Sequence, residues 1–436
     1  MSNTKRPSLK FEHSSNDWVP RVIHALRAFR YRNFRLYFFG QSLSLLGTWV
    51  QQVAMSWLVY RLTGSAFLLG LTAFASQIPI LIFAPLGGLW ADRFDRRKLL
   101  IATQALALVQ AMALALLTYM NRIEVWHILV MAVLLGIVMA TDTPVRQSFV
   151  SELVPSRSDL PGAIAMNGFV QNAGRMIGPT LAGLLIAVSS EAFCFLANGL
   201  SKIAVIAIVA SMQIDVRATK AASAPLLRRL KEGAAYAADL LPVRLLLPMV
   251  ALISFMASPY QALMPIFAAE VFKGDARMLG FLIGAAGLGG SSGLIYLASR
   301  RDVRGLARHI VFGALLAGAS LMVFGASTLL WLSLTAIMLT GFGIILVAMG
   351  TSMILQTIVA DEKRGRVMSF FTVAFLGMSP LGSFVAGALA HKIGAGHTLF
   401  AGGACCVIGA VVLWRQMPRL RANIREIYAR IGVIKP

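Results

Sequence analysis

The sequence predicts an all-α membrane protein of twelve transmembrane helices in two pseudo-symmetric six-helix bundles, and three observations predict it. The 436 residues are 58% hydrophobic and 13% charged, where a soluble protein carries about 25% charged residues. The apolar residues gather in runs of about 20, the length that crosses a bilayer at about 1.5 Å per residue. The runs fall as six, then a polar stretch, then six. A soluble globular protein is excluded by this composition. The net charge of +22 would suit nucleic acid. In a multi-span protein, however, cations collect in cytoplasmic loops beside anionic lipid, so no nucleic-acid partner is expected.

The elements follow in order. Residues 1–35 form a basic cytoplasmic tail without the apolar stretch of a secretory signal. Within it, residues 20–35 mix cations with Phe29, Tyr31 and Phe34, which suits lipid headgroups. The first half, 36–212, has spans at 36–60, 67–90, 99–120, 126–145, 163–188 and 193–212, with a cytoplasmic loop at 147–162. Residues 213–244 form a polar linker containing an amphipathic stretch at 226–240. The second half, 245–416, has spans at 245–268, 278–298, 309–327, 329–350, 367–390 and 398–416. Residues 417–436 read as a basic cytoplasmic tail. With this topology Lys and Arg number 33 on the face of the two tails and 5 on the other, leaving Arg175 and Lys202 inside spans. That imbalance places both termini in the cytoplasm.

Several chemistries are not expected. Cys194, Cys405 and Cys406 lie in apolar runs and offer neither a disulfide framework nor metal spacing, so they read as packing residues. The glycine-rich run 284–293 lies inside a span with no strand before it; Gly289 and Gly293 make a helix-packing face rather than a nucleotide loop. No phosphate-binding loop for ATP is present, and no cofactor, metal or enzymatic site is expected.

The turn between the second and third spans reads Gly87-Gly88-Leu89-Trp90-Ala91-Asp92-Arg93-Phe94-Asp95-Arg96-Arg97-Lys98. It resembles the signature loop of the major facilitator superfamily, matched here by Gly88, Asp92, Arg93, Arg96 and Arg97. Asp95 stands where that family usually has glycine. In the fifth span Gly174, Gly178, Pro179 and Gly183 resemble the antiporter motif of the superfamily's exporters. Its glycines allow close helix contact and its proline frees a carbonyl and bends the span. The second half echoes it weakly, with Ser379, Pro380, Leu381 and Gly382.

Polar residues within spans are the candidates for function. Asn167, Gln171 and Arg175 recur at i, i+4 and i+8 and share one helix face. An arginine facing lipid at mid-bilayer costs at least about 2.5–3.5 kcal/mol, so Arg175 should face the bundle interior. There it either attracts an anionic or strongly polar substrate group or ties the structure to carbonyls. Asn198 and Lys202 share a face of the sixth span, where Lys202 reads as a structural lysine. The carboxylates fall in loops, tails or the last turns of spans, none near mid-membrane, and Asp142, followed by Arg146, is the best coupling candidate.

The segment Asp142-Thr143-Pro144-Val145-Arg146-Gln147, with Asp361-Glu362-Lys363-Arg364-Gly365-Arg366, resembles the exporter branch containing siderophore secretion and macrolide efflux proteins. The resemblance implies the major facilitator fold and a monomeric secondary exporter in the bacterial cytoplasmic membrane, working by alternating access. Its cargo would be an amphipathic small molecule of drug or siderophore type, and protons would be the coupling ion. The resemblance also implies a charge network of Asp92, Arg96 and Asp142 against the start of the eleventh helix, latching the outward-facing state. Gln51, Gln52, Asn167, Gln171, Arg175, Tyr260, Gln261, Phe371 and Met378 are the expected cavity lining. Gly88, Asp92, Arg93, Arg96, Arg97, Asp142, Arg146, Gly174, Gly178, Pro179 and Gly183 are the expected gating and coupling residues. An importer on the same fold and a membrane sensor that moves nothing remain alternatives.

Overall fold

The computed structural model describes residues 27–212, 240–300 and 303–430, with the backbone alone at Asp92, Asp361, Glu362 and Arg430. Long helices follow one another at short turns: α1 (Arg32–Thr63), α2 (Ala66–Arg93), α3 (Arg96–Tyr119), α4 (Val125–Leu153), α5 (Leu160–Val188) and α6 (Glu191–Ser211). After the linker come α7 (Leu241–Val271), α8 (Ala276–Ser299), α9 (Leu306–Ala326) and α10 (Leu330–Ile358). Then come α11, built from Asp361–Thr372, Val373–Gly377 and Met378–Ile393, and α12 (Ala395–Arg415) and α13 (Met417–Arg430).

Local chemistry sets the boundaries. Ser65, Asp95, Ser190 and Asp275 each accept a backbone N–H at the start of the helix they precede, as N-caps do. The unexpected Asp95 of the signature turn is thereby explained: its side chain accepts from the N–H groups of Arg97 and Lys98 and starts α3. Gly64 ends α1 at φ 58°, a left-handed conformation suited to glycine.

Among the described residues, ten helices are long and apolar enough to cross a membrane. The protein is an integral, multi-pass, all-helical membrane protein. α1 and α5 are also long, at 32 and 29 residues, but fall outside the ten. Both carry polar residues along their length, among them Gln41, Gln51 and Gln52 on α1 and Asn167, Gln171, Asn172 and Arg175 on α5.

Three expectations change. α4 runs to Leu153, so much of the expected loop at 147–162 is helix and Asp142 lies well inside it rather than near its last turn. α7 begins at Leu241, while residues 213–239 of the expected linker, and with them nearly all of the amphipathic stretch expected at 226–240, lie outside the described residues. The expected C-terminal tail is in large part the amphipathic helix α13, which buries Met417, Leu420, Ile424 and Tyr428 against the bundle.

Within the first six helices, α2 packs on α4, α1 on α5 and α6, and α3 on α4 and α6; within the later ones, α9 packs on α10 and α12, and α8 on α10. Two seams join the sets, α5 with α8 and α2 with α11. In each, glycine backbones touch: a Cβ on Gly387 would lie 2.8 Å from the Gly70 Cα, and one on Gly183 would lie 2.5 Å from the Ala276 carbonyl oxygen and 3.0 Å from the Gly280 Cα. Small residues are how membrane helices approach this closely. Both seams run antiparallel, since Gly377 meets Leu81 on α2 and Gly287 meets Met176 on α5.

Candidate functional site

Following the seams along the molecule locates the site. Both are tight at the end where α2 and α8 start. There Tyr60 on α1 also donates to Glu270 on α7 at 3.1 Å. Toward the other end, which carries Arg93–Lys98, contact ceases: a Cβ on Gly88, Gly168 or Gly365 would meet nothing within 4 Å. On the side of the first six helices the gap is a cavity of about 700 Å³ between α1, α2, α4 and α5. Its wall includes Trp49, Gln52, Ile80, Met139, Thr143, Arg146, Gln147, Asn167 and Gln171. The lining is thus apolar and aromatic with carboxamides and one guanidinium, a surface that suits a molecule with both apolar and polar parts.

The residues expected to line the cavity are not all brought together. Gln52, Asn167 and Gln171 line it. Gln51 does not. One step along α1 turns it about 100° away, into the seam with α3 and α6. There its Nε2 donates to Gln110 at 2.8 Å and its Oε1 accepts from Asn198 at 2.7 Å. Phe371 is likewise buried, stacked on Phe375 at 6.0 Å. Met378 is half-buried at the start of the last segment of α11. Tyr260 is buried where α7 is interrupted between Met256 and Tyr260, and accepts a hydrogen bond from the exposed Gln261 at 3.2 Å. Arg175 is exposed on α5, one turn beyond Gln171, and is not among the residues lining this cavity.

Behind the cavity wall lies a buried polar network. Arg146 Nη1 sits 3.5 Å from Asp142 Oδ2, while Asp142 Oδ1 accepts from Thr103 Oγ1 at 3.1 Å and Gln104 Nε2 at 2.8 Å. Ser44 Oγ, 3.4 Å from Gln104 Oε1, also accepts from Lys202 Nζ at 2.7 Å. Lys202 donates as well to Thr48 Oγ1 at 2.8 Å and to the Ser44 carbonyl at 3.1 Å. The chain of contacts runs from Arg146, on the cavity wall, to a lysine that is 2% exposed. Tyr37 Oη, Gln41 Oε1, Asp142 Oδ2 and Arg146 Nε are buried beside it without a hydrogen-bond partner, a concentration of unmet polar atoms that an ordinary core avoids. Sequence reasoning found Asp142 and Arg146 and read Lys202 as structural. It missed Ser44, Thr103 and Gln104, because lone small or uncharged polar residues in a span carry no signal of their own.

The latch expected of the signature turn belongs to the outward-facing state, and with this end of the molecule parted the turn makes other contacts. Arg96 bonds the Ala91 carbonyl at 3.0 Å and pairs with Glu152 at 2.6 Å, not with Asp142. Glu152 escaped notice because it was assigned to a loop. Arg97 donates to the Val209 and Ala210 carbonyls and so caps the end of α6. Arg93 is exposed, and the side chain of Asp92 lies outside the described residues. The close approach of the turn belongs to Gly87, packed on the Ala140 carbonyl, while Gly88 is open. In the fifth-helix motif, Gly174 and Gly178 seat α5 on Leu45 and Trp49 of α1, and Gly183 makes the seam with α8. Pro179, unable to donate, leaves the Arg175 carbonyl without its helical partner; that carbonyl lies 3.2 Å from where a Gly287 Cβ would stand.

Comparison with known proteins gives a consistent answer. The family model described as transmembrane secretion effector matches residues 23–427. The chain is 27% identical over 396 residues to the staphyloferrin A transporter of Staphylococcus aureus, covering 89% of this chain and 98% of that protein. It is 24% identical over 407 residues to macrolide efflux protein A of Streptococcus pyogenes, covering 88% and 96%. Among solved structures, a bacterial homologue of the human lysosomal transporter Spinster, described as inward-facing and unoccupied, superposes with a TM-score of 0.69 at 12% identity, covering 91% of this chain and 98% of that one. That likeness concerns the fold.

Proposed function

Because the chain belongs to the transmembrane secretion effector family of the major facilitator superfamily, and is therefore a transporter rather than an enzyme, we propose that it exports an amphipathic small molecule of drug or siderophore type by alternating access. On this reading α1 and α5 complete twelve spans, residues 36–212 and 245–416 act as two bundles, and the protein works as a monomer. The Arg93–Lys98 end and both termini face the bacterial cytoplasm, since cations collect there.

The observation that carries the proposal is the one-sided cavity: about 700 Å³ with mixed polar and apolar walls, open at the end of the signature turn and shut at the other by two glycine seams. A cargo enters from the cytoplasm beside Gln52, Asn167 and Gln171, and Arg175 with Tyr260 stands further in. Rocking of the bundles then opens the seams and closes Gly88, Gly168 and Gly365 onto the opposing helices. Outward direction is supported by the efflux relative and by the fifth-helix motif.

The coupling ion is a proton, and the Asp142–Arg146–Lys202 network carries it. Protonating Asp142 removes the one carboxylate among two buried cations. Loss of one partner from a buried pair costs about 3–5 kcal/mol, enough to shift a balance between two shapes of the molecule. Arg96, Arg97, Gly174, Gly178, Pro179 and Gly183 act as gating elements through the contacts described above, and Gly88 and Arg93 act at the parted end.

The test is accumulation of macrolides, dyes and siderophores in cells with and without the gene, repeated after the proton gradient is collapsed. Cargo should build up when the gene is absent or the gradient is gone. Equal accumulation in all cells for every compound rejects export, and export that survives the loss of the gradient rejects proton coupling.

A further inference from the structure

A second cavity lies far from the transport path. α13 crosses the ends of α9 and α10 and leaves a pocket of about 350 Å³ at the end of the array where α8 finishes. The sequence explains why it forms. Met417, Leu420, Ile424 and Tyr428 recur at helical spacing and are all at most 8% exposed, so α13 is pinned by one apolar face. That register leaves Arg421 and Arg425, one turn apart, at the pocket rim. Arg308 comes from the first turn of α9 and Arg304 from the α8–α9 turn, where Gly305 at φ 72° lets the chain reverse. Arg300 braces that turn by donating to the Arg304 carbonyl at 3.0 Å.

Four guanidinium groups from three elements thus line one cavity, and no carboxylate is among the described lining residues. Arg308, Arg421 and Arg425 make no ion pair with a described carboxylate. The crowding is felt: burial against the pocket wall and the neighbouring Arg308 hold Arg421 below its usual range. Gathering like charges is unfavourable unless an anion joins them, and planar guanidinium groups match phosphate oxygens in pairs. The floor is apolar, with Ile354 and Ile424, and α13 starts within two residues of the end of α12. The pocket therefore stands at the level where spans end and phospholipid headgroups lie.

We infer that the Arg308–Arg421–Arg425 pocket binds a phosphate-bearing anion, supplied by the headgroup of an anionic phospholipid. A lipid held there ties α13 to α9 and α10. The shared chemistry is phosphate on arginine, and the apolar floor favours the lipid over free phosphate, because it receives the first carbons of the acyl chains.

The experiment uses the full-length protein purified in detergent. Native mass spectrometry measures retention of phosphatidylglycerol and of phosphatidylcholine, with inorganic phosphate as a separate competitor. Phosphatidylglycerol should be retained preferentially. An arginine near an anionic headgroup is worth about fivefold in affinity, so Arg421→Ala with Arg425→Ala should weaken retention about 25-fold. Lysine at both positions should keep most of it, and Arg308→Gln, at the opposite wall, should cost about fivefold. Thermal melting and monodisperse elution check the fold of each variant. Equal retention of the two lipids without binding of inorganic phosphate, or unchanged retention in both the double-alanine and Arg308→Gln proteins, overturns the site. Tight binding of inorganic phosphate with no preference between the lipids overturns the lipid as its source.

Discussion

Lys202 directs its ammonium donors to Ser44 Oγ, the Ser44 carbonyl and Thr48 Oγ1, all neutral oxygens. A charge so placed inside a membrane helix bundle is expensive, and it is tolerated here because Asp142 lies in the same network. If that network carries the coupling proton, Asp142→Asn is the informative change, since asparagine keeps the volume and can still accept from Thr103 and Gln104. We expect insertion at normal levels and at least a tenfold loss of export driven by an imposed pH gradient. Lys202→Met should give the same loss. An unaltered response to the gradient in both variants removes the network from the mechanism. Arg175 is a separate case: Arg175→Ala should insert normally and lose transport, and normal export by that variant would leave Arg175 a structural role only.

Among the elements, α5 packs on helices of both sets. One set of glycines seats it on Trp49 and Leu45 of α1, and another glycine meets α8 across the seam. A side chain at Gly183 has no room, and overpacking of this kind costs about 1–3 kcal/mol. Gly183→Val should therefore prise open the seam with α8, with export falling at least tenfold while Gly168→Val, at the parted end, has little effect on folding. A disulfide between cysteines placed at Thr180 and Gly284 reports the seam directly: it should form readily in the parent and poorly in the Gly183→Val protein. Ready cross-linking in both would show that the seam does not depend on this glycine. α13 is bound by four apolar residues and by whatever occupies the arginine pocket, so its dissociation should respond to lipid.

For the whole molecule, tight seams at one end and a cavity at the other make accessibility one-sided. After Cys194, Cys405 and Cys406 are replaced by serine or alanine, a cysteine at Gln147 or Asn167 should react with a membrane-impermeant thiol reagent. The reaction should occur in inside-out vesicles and be at least tenfold slower in right-side-out ones. Comparable labelling from both sides would contradict a cavity with one open end.

Much of this architecture was legible in the chain itself. The spans at 99–120, 193–212 and 398–416 fall within three residues of α3, α6 and α12 at either end, because crossing a bilayer is a local demand on length and apolarity. The antiparallel order and the cation-rich face follow from the same local facts. What only tertiary structure decided is orientation. Gln51 and Gln52 are equally polar, yet one is sealed in a seam and the other lines the cavity. Arg96 met Glu152, 56 residues away, and the C-terminal tail became a docked helix over a cationic pocket. The physical reason is common to all three. A membrane helix is apolar toward lipid and toward its neighbours alike, so its sequence marks that it spans without marking which side faces in. That choice is made by contacts between residues far apart in the chain.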